Sequence, residues 1–207
     1  YLSGDLSYNH RTSAICRFWA TSFVNTTNNS ELFIAISFTH FESMKSIFLC
    51  NTPAIIDKVY SKETIVALQQ EIDLDTTIFT GKDLKAHDFS KIEAIFASWD
   101  IPILSDEQVR KHFPNLKFVF YAAGSVQYFA KPLFANNVRV FSAWSANAIP
   151  VAEYTVSQII LANKGFFHTI NKVKSKSGYL SAQAATKALP GNFETSVGIL
   201  GVGQIGR

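Results

Sequence analysis

Near the end of the sequence, Gly201-Val202-Gly203-Gln204-Ile205-Gly206 spaces three glycines as G-x-G-x-x-G. Glycines in that spacing permit chemistry that larger residues block. The first allows a tight turn, the second lets the backbone approach a pyrophosphate, and the third lets a helix pack closely on a strand. Ser196-Val197-Gly198-Ile199-Leu200 runs straight into the loop and reads as a short buried strand. A helix after the loop would turn free N–H groups and a partial positive charge toward phosphates. The sequence reaches Arg207 before that helix, and before the acidic residue expected roughly 20 positions further on. The residues alone leave two readings open: a dinucleotide cradle or an ordinary strand-to-helix turn.

Other chemistry-bearing residues are sparser. Glu153 reads either as an acid for catalysis or, more simply, as a carboxylate at a helix N-terminus that fixes its helix. His87, His112 and His168 have no partner at metal or nucleophile spacing and read as surface or helix-end residues. Cys16 and Cys50 lie in unrelated contexts with no metal or redox spacing. They read as small thiols in a reducing compartment rather than as a disulfide. No metal site is expected.

The elements that must position these residues belong to a folded protein. The 207 residues are 47% hydrophobic and 17% charged, which suits a packed core rather than disorder. The net charge is only +3 and the basic residues are scattered, unlike the clustered charge of a nucleic-acid binder. No apolar run reaches the roughly 18 residues that a spanning helix needs, so neither nucleic acid nor membrane is an expected partner. A cytoplasmic location follows as the expectation.

From Met44 onward, strand and helix signals alternate, which predicts a parallel sheet flanked by helices. Strands are expected at Ile47-Phe48-Leu49, Thr76-Thr77-Ile78-Phe79, Ala94-Ile95-Phe96-Ala97, 116–120 and Val138-Arg139-Val140-Phe141. One helix is expected over 54–71, behind Pro53 and with Ile55, Val59, Ile65, Leu68 and Ile72 at near-helical intervals. Ser105-Asp106-Glu107 supplies a cap and first-turn acids for another through His112. A long helix is expected to start at a cap on Asn147, with Pro150 in its first turn, and to run to about Phe167. The polar stretch 172–192 reads as a helix fragment plus loop. Residues 1–43 show no sustained period, although Ser37-Phe38-Thr39-His40-Phe41 alternates briefly. With the only methionine at 44, this segment reads as translated upstream sequence, with a genuine extension or a secretory leader as the alternatives.

Three stretches, in this order, resemble the D-isomer-specific 2-hydroxyacid dehydrogenase family. They are the strand and small-residue loop from Leu116 through Ala122-Ala123-Gly124-Ser125-Val126, then Asn147-Ala148-Ile149-Pro150-Val151-Ala152-Glu153, and last Val197 through the glycine loop. The resemblance covers residues 44–207, and it implies two doubly wound α/β domains. The first is a flavodoxin-like substrate domain over 44–146. A crossing helix and linker occupy 147–195, and 196–207 opens a Rossmann domain for NAD.

The resemblance also implies roles. Gly124, Ser125 and Val126 would hold a substrate carboxylate through backbone N–H groups, and Trp99 would wall the substrate pocket. Gly201, Gly203, Gln204, Ile205 and Gly206 would meet the pyrophosphate. The sequence departs from the family's pattern at Ala122, often basic there, and at Val126, often glycine, so substrate preference does not transfer. The family's catalytic arginine and His–Glu pair belong downstream of the fingerprint, so no residue of this sequence is assigned a catalytic role. The implied function is hydride transfer between NAD(H) and a small 2-hydroxy or 2-oxo acid, by a homodimer when full length. A non-catalytic, nicotinamide-sensing interaction protein on the same scaffold and an inactive gene fragment are the competing readings.

Overall fold

The computed structural model describes residues 44–207. The segment 1–43, with Cys16 and the brief alternation at 37–41, lies outside the described residues. The chain divides into two compact units after Trp144.

In the first unit, β1 (Lys45–Leu49), β2 (Asp73–Phe79), β3 (Ala94–Ala97), β4 (Phe118–Tyr121) and β5 (Arg139–Ser142) form one sheet. All four pairings are parallel, in the order β2-β1-β3-β4-β5. This is the flavodoxin-like order, and it matches the α/β class expected from the sequence. The three central strands β1, β3 and β4 are apolar on both faces, as strands covered by helices on both sides must be. Side chains alternate across a strand, so Ile47, Leu49, Ile95, Val119 and Tyr121 enter one core. Phe48, Cys50, Ala94 and Phe96 enter the other. Helices α1 (Pro53–Val59) and α2 (Lys62–Glu71) supply Ile56 and partly buried Ile65 and Leu68 to the second core. A 3-10 turn (Asp83–Lys85), α3 (Asp106–His112) and α4 (Ala130–Ala135) supply Leu84, Val109 and Leu133 to the first. On the α1–α2 side the rings of Phe96, Phe120 and Phe141 stack across three strands, with centroids 5.0 and 5.4 Å apart.

Two local outcomes differ from the sequence reading. The single helix expected over 54–71 is two. Ser61 caps the second by accepting from the Thr64 N–H, and Tyr60 is extended between them. That break lets the Tyr60 hydroxyl donate to Ala97 O at 3.1 Å. By contrast, Ser105 does cap α3. Its side chain accepts from the Gln108 N–H while Gln108 Oε1 accepts from the Ser105 N–H, a reciprocal capping box. The short helix α4 was not expected at all, because Pro132 and flanking loop residues hide its period.

The second unit holds α5 (Trp144–Asn163) from its second residue on, α6 (Phe166–Thr169) and α7 (Lys176–Thr186). Helix α5 begins three residues before the expected cap. Asn147 is therefore inside it, and Pro150 lies past the first turn. Residues 196–200 form no strand among the described residues. An apolar run becomes a strand only when a neighbour satisfies its N–H and C=O groups, and none is paired with it here.

Candidate functional site

In an open parallel sheet, ligands bind outside the carboxyl ends of the strands where the strand order reverses. Here the order reverses between β1 and β3. The first strand ends in Cys50, Asn51 and Thr52, the third in Ser98, Trp99 and Asp100. These two ends are laced together. The Asn51 N–H donates to Asp100 O at 2.9 Å, and Thr52 Oγ1 donates to Asp100 Oδ2 at 2.6 Å. The Cys50 thiol is buried and lies 3.3 Å from Trp99 O and 3.2 Å from Thr52 O. Burial pushes this thiol above its ordinary value, a backbone hydrogen bond with Thr52 pulls it back, and the Asp100 carboxylate raises it further. Asp100 itself has φ 63°, a left-handed conformation that a short polar side chain tolerates. Its effect is to turn the chain sharply after Trp99, whose indole is 50% exposed.

The small-residue loop follows β4, the strand next to β3. Gly124, Ser125 and Val126 therefore lie on a strand end adjacent to that of Trp99. Val126 packs on the core beneath, while Ser125 is exposed. The loop's carbonyl oxygens are occupied. Ser98 Oγ lies 3.4 Å from Ala122 O, and Ser142 Oγ lies 2.9 Å from Ala123 O and also contacts Gly124 O. Its N–H groups are not: those of Gly124, Ser125 and Val126 donate to no acceptor among the described residues. Unpaired N–H groups on a loop at a strand end are available to an acceptor such as a carboxylate. Tyr121 and Tyr128 share a hydroxyl contact at 3.0 Å across the base of the loop. Burial, and then that hydrogen bond, drive the Tyr121 phenol far above its usual range, so it stays protonated.

Sequence reasoning missed Ser98, Ser142, Asp100 and Tyr128. The signal for the two serines is their place at the end of an apolar strand, but serine is common in any turn. Other residues stand apart from this cluster. Glu153 is not at the helix N-terminus, since α5 starts at Trp144 and has no acid in its first turn. His87 packs edge-on against Phe79, His112 ends α3, and His168 meets Lys172 Nζ at 3.2 Å. Among the described residues, no three His, Cys, Asp or Glu side chains could hold a metal, and no helix is long and apolar enough to cross a membrane.

The glycine loop belongs to the second unit. Gly201 has φ 95°, which a side chain resists. A Cβ on Gly206 would stand 2.1 Å from Gly201 O, so only glycine lets the turn close on itself. A Cβ on Gly203 would meet nothing within 4 Å, leaving its backbone open to approach. Gln204 and Ile205 form the turn between the second and third glycines. Backbone geometry thus calls for glycine at 201 and 206, while 203 is open.

No protein-family model matches the chain, and no curated protein matches it either. Solved structures do. A phosphoglycerate oxidoreductase from Rhizobium etli matches with a TM-score of 0.51 and 17% identity, over 78% of this chain and 49% of that one. An NAD-dependent formate dehydrogenase from Staphylococcus aureus, in complex with NAD, matches at TM-score 0.45 and 21% identity, over 60% of this chain and 38% of that one. D-lactate dehydrogenase from Escherichia coli matches at TM-score 0.45 and 18% identity, over 79% of this chain and 49% of that one. The chain spans half or less of the length of these structures. What it shares with the first of them is the fold.

Proposed function

We propose that the chain is the substrate-side domain of an NAD-dependent D-isomer-specific 2-hydroxyacid dehydrogenase, running into the opening of its cofactor domain. The complete enzyme transfers a hydride between NAD(H) and C2 of a small 2-hydroxy or 2-oxo acid. It is a cytoplasmic homodimer. One conjunction carries the reading. N–H groups of Gly124, Ser125 and Val126 that donate to no acceptor among the described residues follow β4, next to the β1/β3 reversal of a β2-β1-β3-β4-β5 sheet, and a G-x-G-x-x-G turn with a left-handed first glycine follows in sequence.

In this reading each group has a physical task. The loop 124–126 holds the substrate carboxylate with convergent N–H donors, which bind the ionised form more strongly than a neutral one. Trp99 walls the pocket with half its indole surface. Gly201, Gly203, Gln204, Ile205 and Gly206 hold the pyrophosphate, and NAD supplies the hydride chemistry when bound. No residue between 44 and 207 is assigned the proton transfer. The resemblance assigns it to a His–Glu pair, with a carboxylate-binding arginine, beyond the glycine loop.

The test is to read the coding sequence past Arg207 and assay the longer chain for NADH oxidation by glyoxylate, hydroxypyruvate and related 2-oxo acids. Turnover is expected, together with an acidic residue about 20 positions on for the ribose and an Arg, Glu and His after it. A longer chain that lacks these residues and leaves NADH unoxidised sinks the proposal.

A further inference from the structure

A peptide unit is planar and trans, so its C=O and N–H point in opposite directions. The C=O of Ala123 shares a peptide unit with the N–H of Gly124, and the C=O of Gly124 shares one with the N–H of Ser125. Both carbonyls lie against one side chain, the Ser142 hydroxyl at the end of β5, whose single proton is shared between Ala123 O, at 2.9 Å, and Gly124 O. Ser142 is held opposite Tyr121 by the β4–β5 register, so its hydroxyl is delivered to the loop by the sheet itself.

We propose that Ser142 is a positioning residue that aims the Gly124 and Ser125 N–H groups at a bound carboxylate. By drawing two carbonyls toward β5 it turns both donors away from that strand, toward the open side of the loop. Without the hydroxyl, either peptide unit is free to rotate and present its carbonyl oxygen, which repels an anion. The inference rests on the carboxylate-binding role of the loop, and the experiment separates the two.

Oxamate, an unreactive 2-oxo-acid analogue, is titrated into the chain and into its S142A and S142T variants, following the backbone amide resonances of Gly124, Ser125 and Val126. S142A is expected to weaken oxamate binding about three- to tenfold, the range that loss of one hydrogen bond produces. S142T keeps the donor on a strand-compatible residue and is expected to restore it. S105A, which removes a distant helix cap, controls for lost stability and should leave the affinity unchanged. If the parent chain binds oxamate at these amides and S142A binds it equally well, the positioning role is overturned while the carboxylate loop stands. Should S105A weaken binding as much as S142A, the effect is general loosening and the positioning role is again overturned. If oxamate moves none of these amides in the parent chain, the carboxylate loop itself falls, and the role of Ser142 with it.

Discussion

Two apolar runs of the chain look alike and fare differently. Ile47-Phe48-Leu49 lies between two parallel partners, with Phe48 at 0% and Leu49 at 1% exposure. Ile199-Leu200 has no strand partner among the described residues, and its side chains are 59% and 105% exposed. Composition states what a segment would bury, and neighbours decide whether it does. The first unit covers its central strands with a strand on each side and core on each face. The second leaves Ile160, Phe166, Phe167 and Phe193 exposed as well.

The contrast has a direct measure. Phe48 touches Tyr60 and Phe96, with ring centroids 5.1 and 6.0 Å away. Phe48→Ala would empty the α1–α2 core and is expected to cost about 3–5 kcal/mol in urea unfolding. Leu200→Ala removes a side chain already in water, and should change stability by no more than about 0.5 kcal/mol. If the two substitutions cost the same, the units are not as different as their burial implies.

A second, smaller effect separates the helices of the two units. Pro150 stands seventh in α5, where it removes the hydrogen bond to Ala146 O that another residue would make. Pro150→Ala is expected to raise the stability of the second unit, by at most about 3 kcal/mol. Thermal unfolding followed by circular dichroism would show it. No change would mean that the helix starts near Asn147 after all, with Pro150 in a harmless first turn.

Much of the first unit was legible because its signals are local or periodic. Ala94-Ile95-Phe96-Ala97 is a strand with the expected bounds, since a short apolar run between turn residues has few other uses. The break at Tyr60 was not legible, because its reason is a hydrogen bond to Ala97 on a different strand. The loop 122–126 could be singled out by its small residues, but not the state of its N–H groups. That depends on Ser98 and Ser142, 24 and 18 residues away from the carbonyls of Ala122 and Gly124. The run at 196–200 misled for the converse reason. Its apolar pattern predicts a short buried strand, yet a strand also needs a partner, which a pattern does not contain.

Caps give the finest comparison, because two polar residues were read the same way and only one of them caps. Ser105 has extended backbone, accepts from the Gln108 N–H at 3.2 Å, and receives the Gln108 side chain in return. Two N–H groups that the helix cannot satisfy are thereby satisfied. Asn147 lies fourth in α5, inside the helix rather than at the flanking position from which a side chain caps the first turn. Ser105→Ala is therefore expected to cost about 1 kcal/mol. Asn147→Ala should be neutral or slightly stabilising, since alanine is the better residue inside a helix. Paired urea titrations of the two variants measure the difference. The opposite order, with Asn147→Ala the costlier, would move the start of α5 back to the position that its sequence suggests.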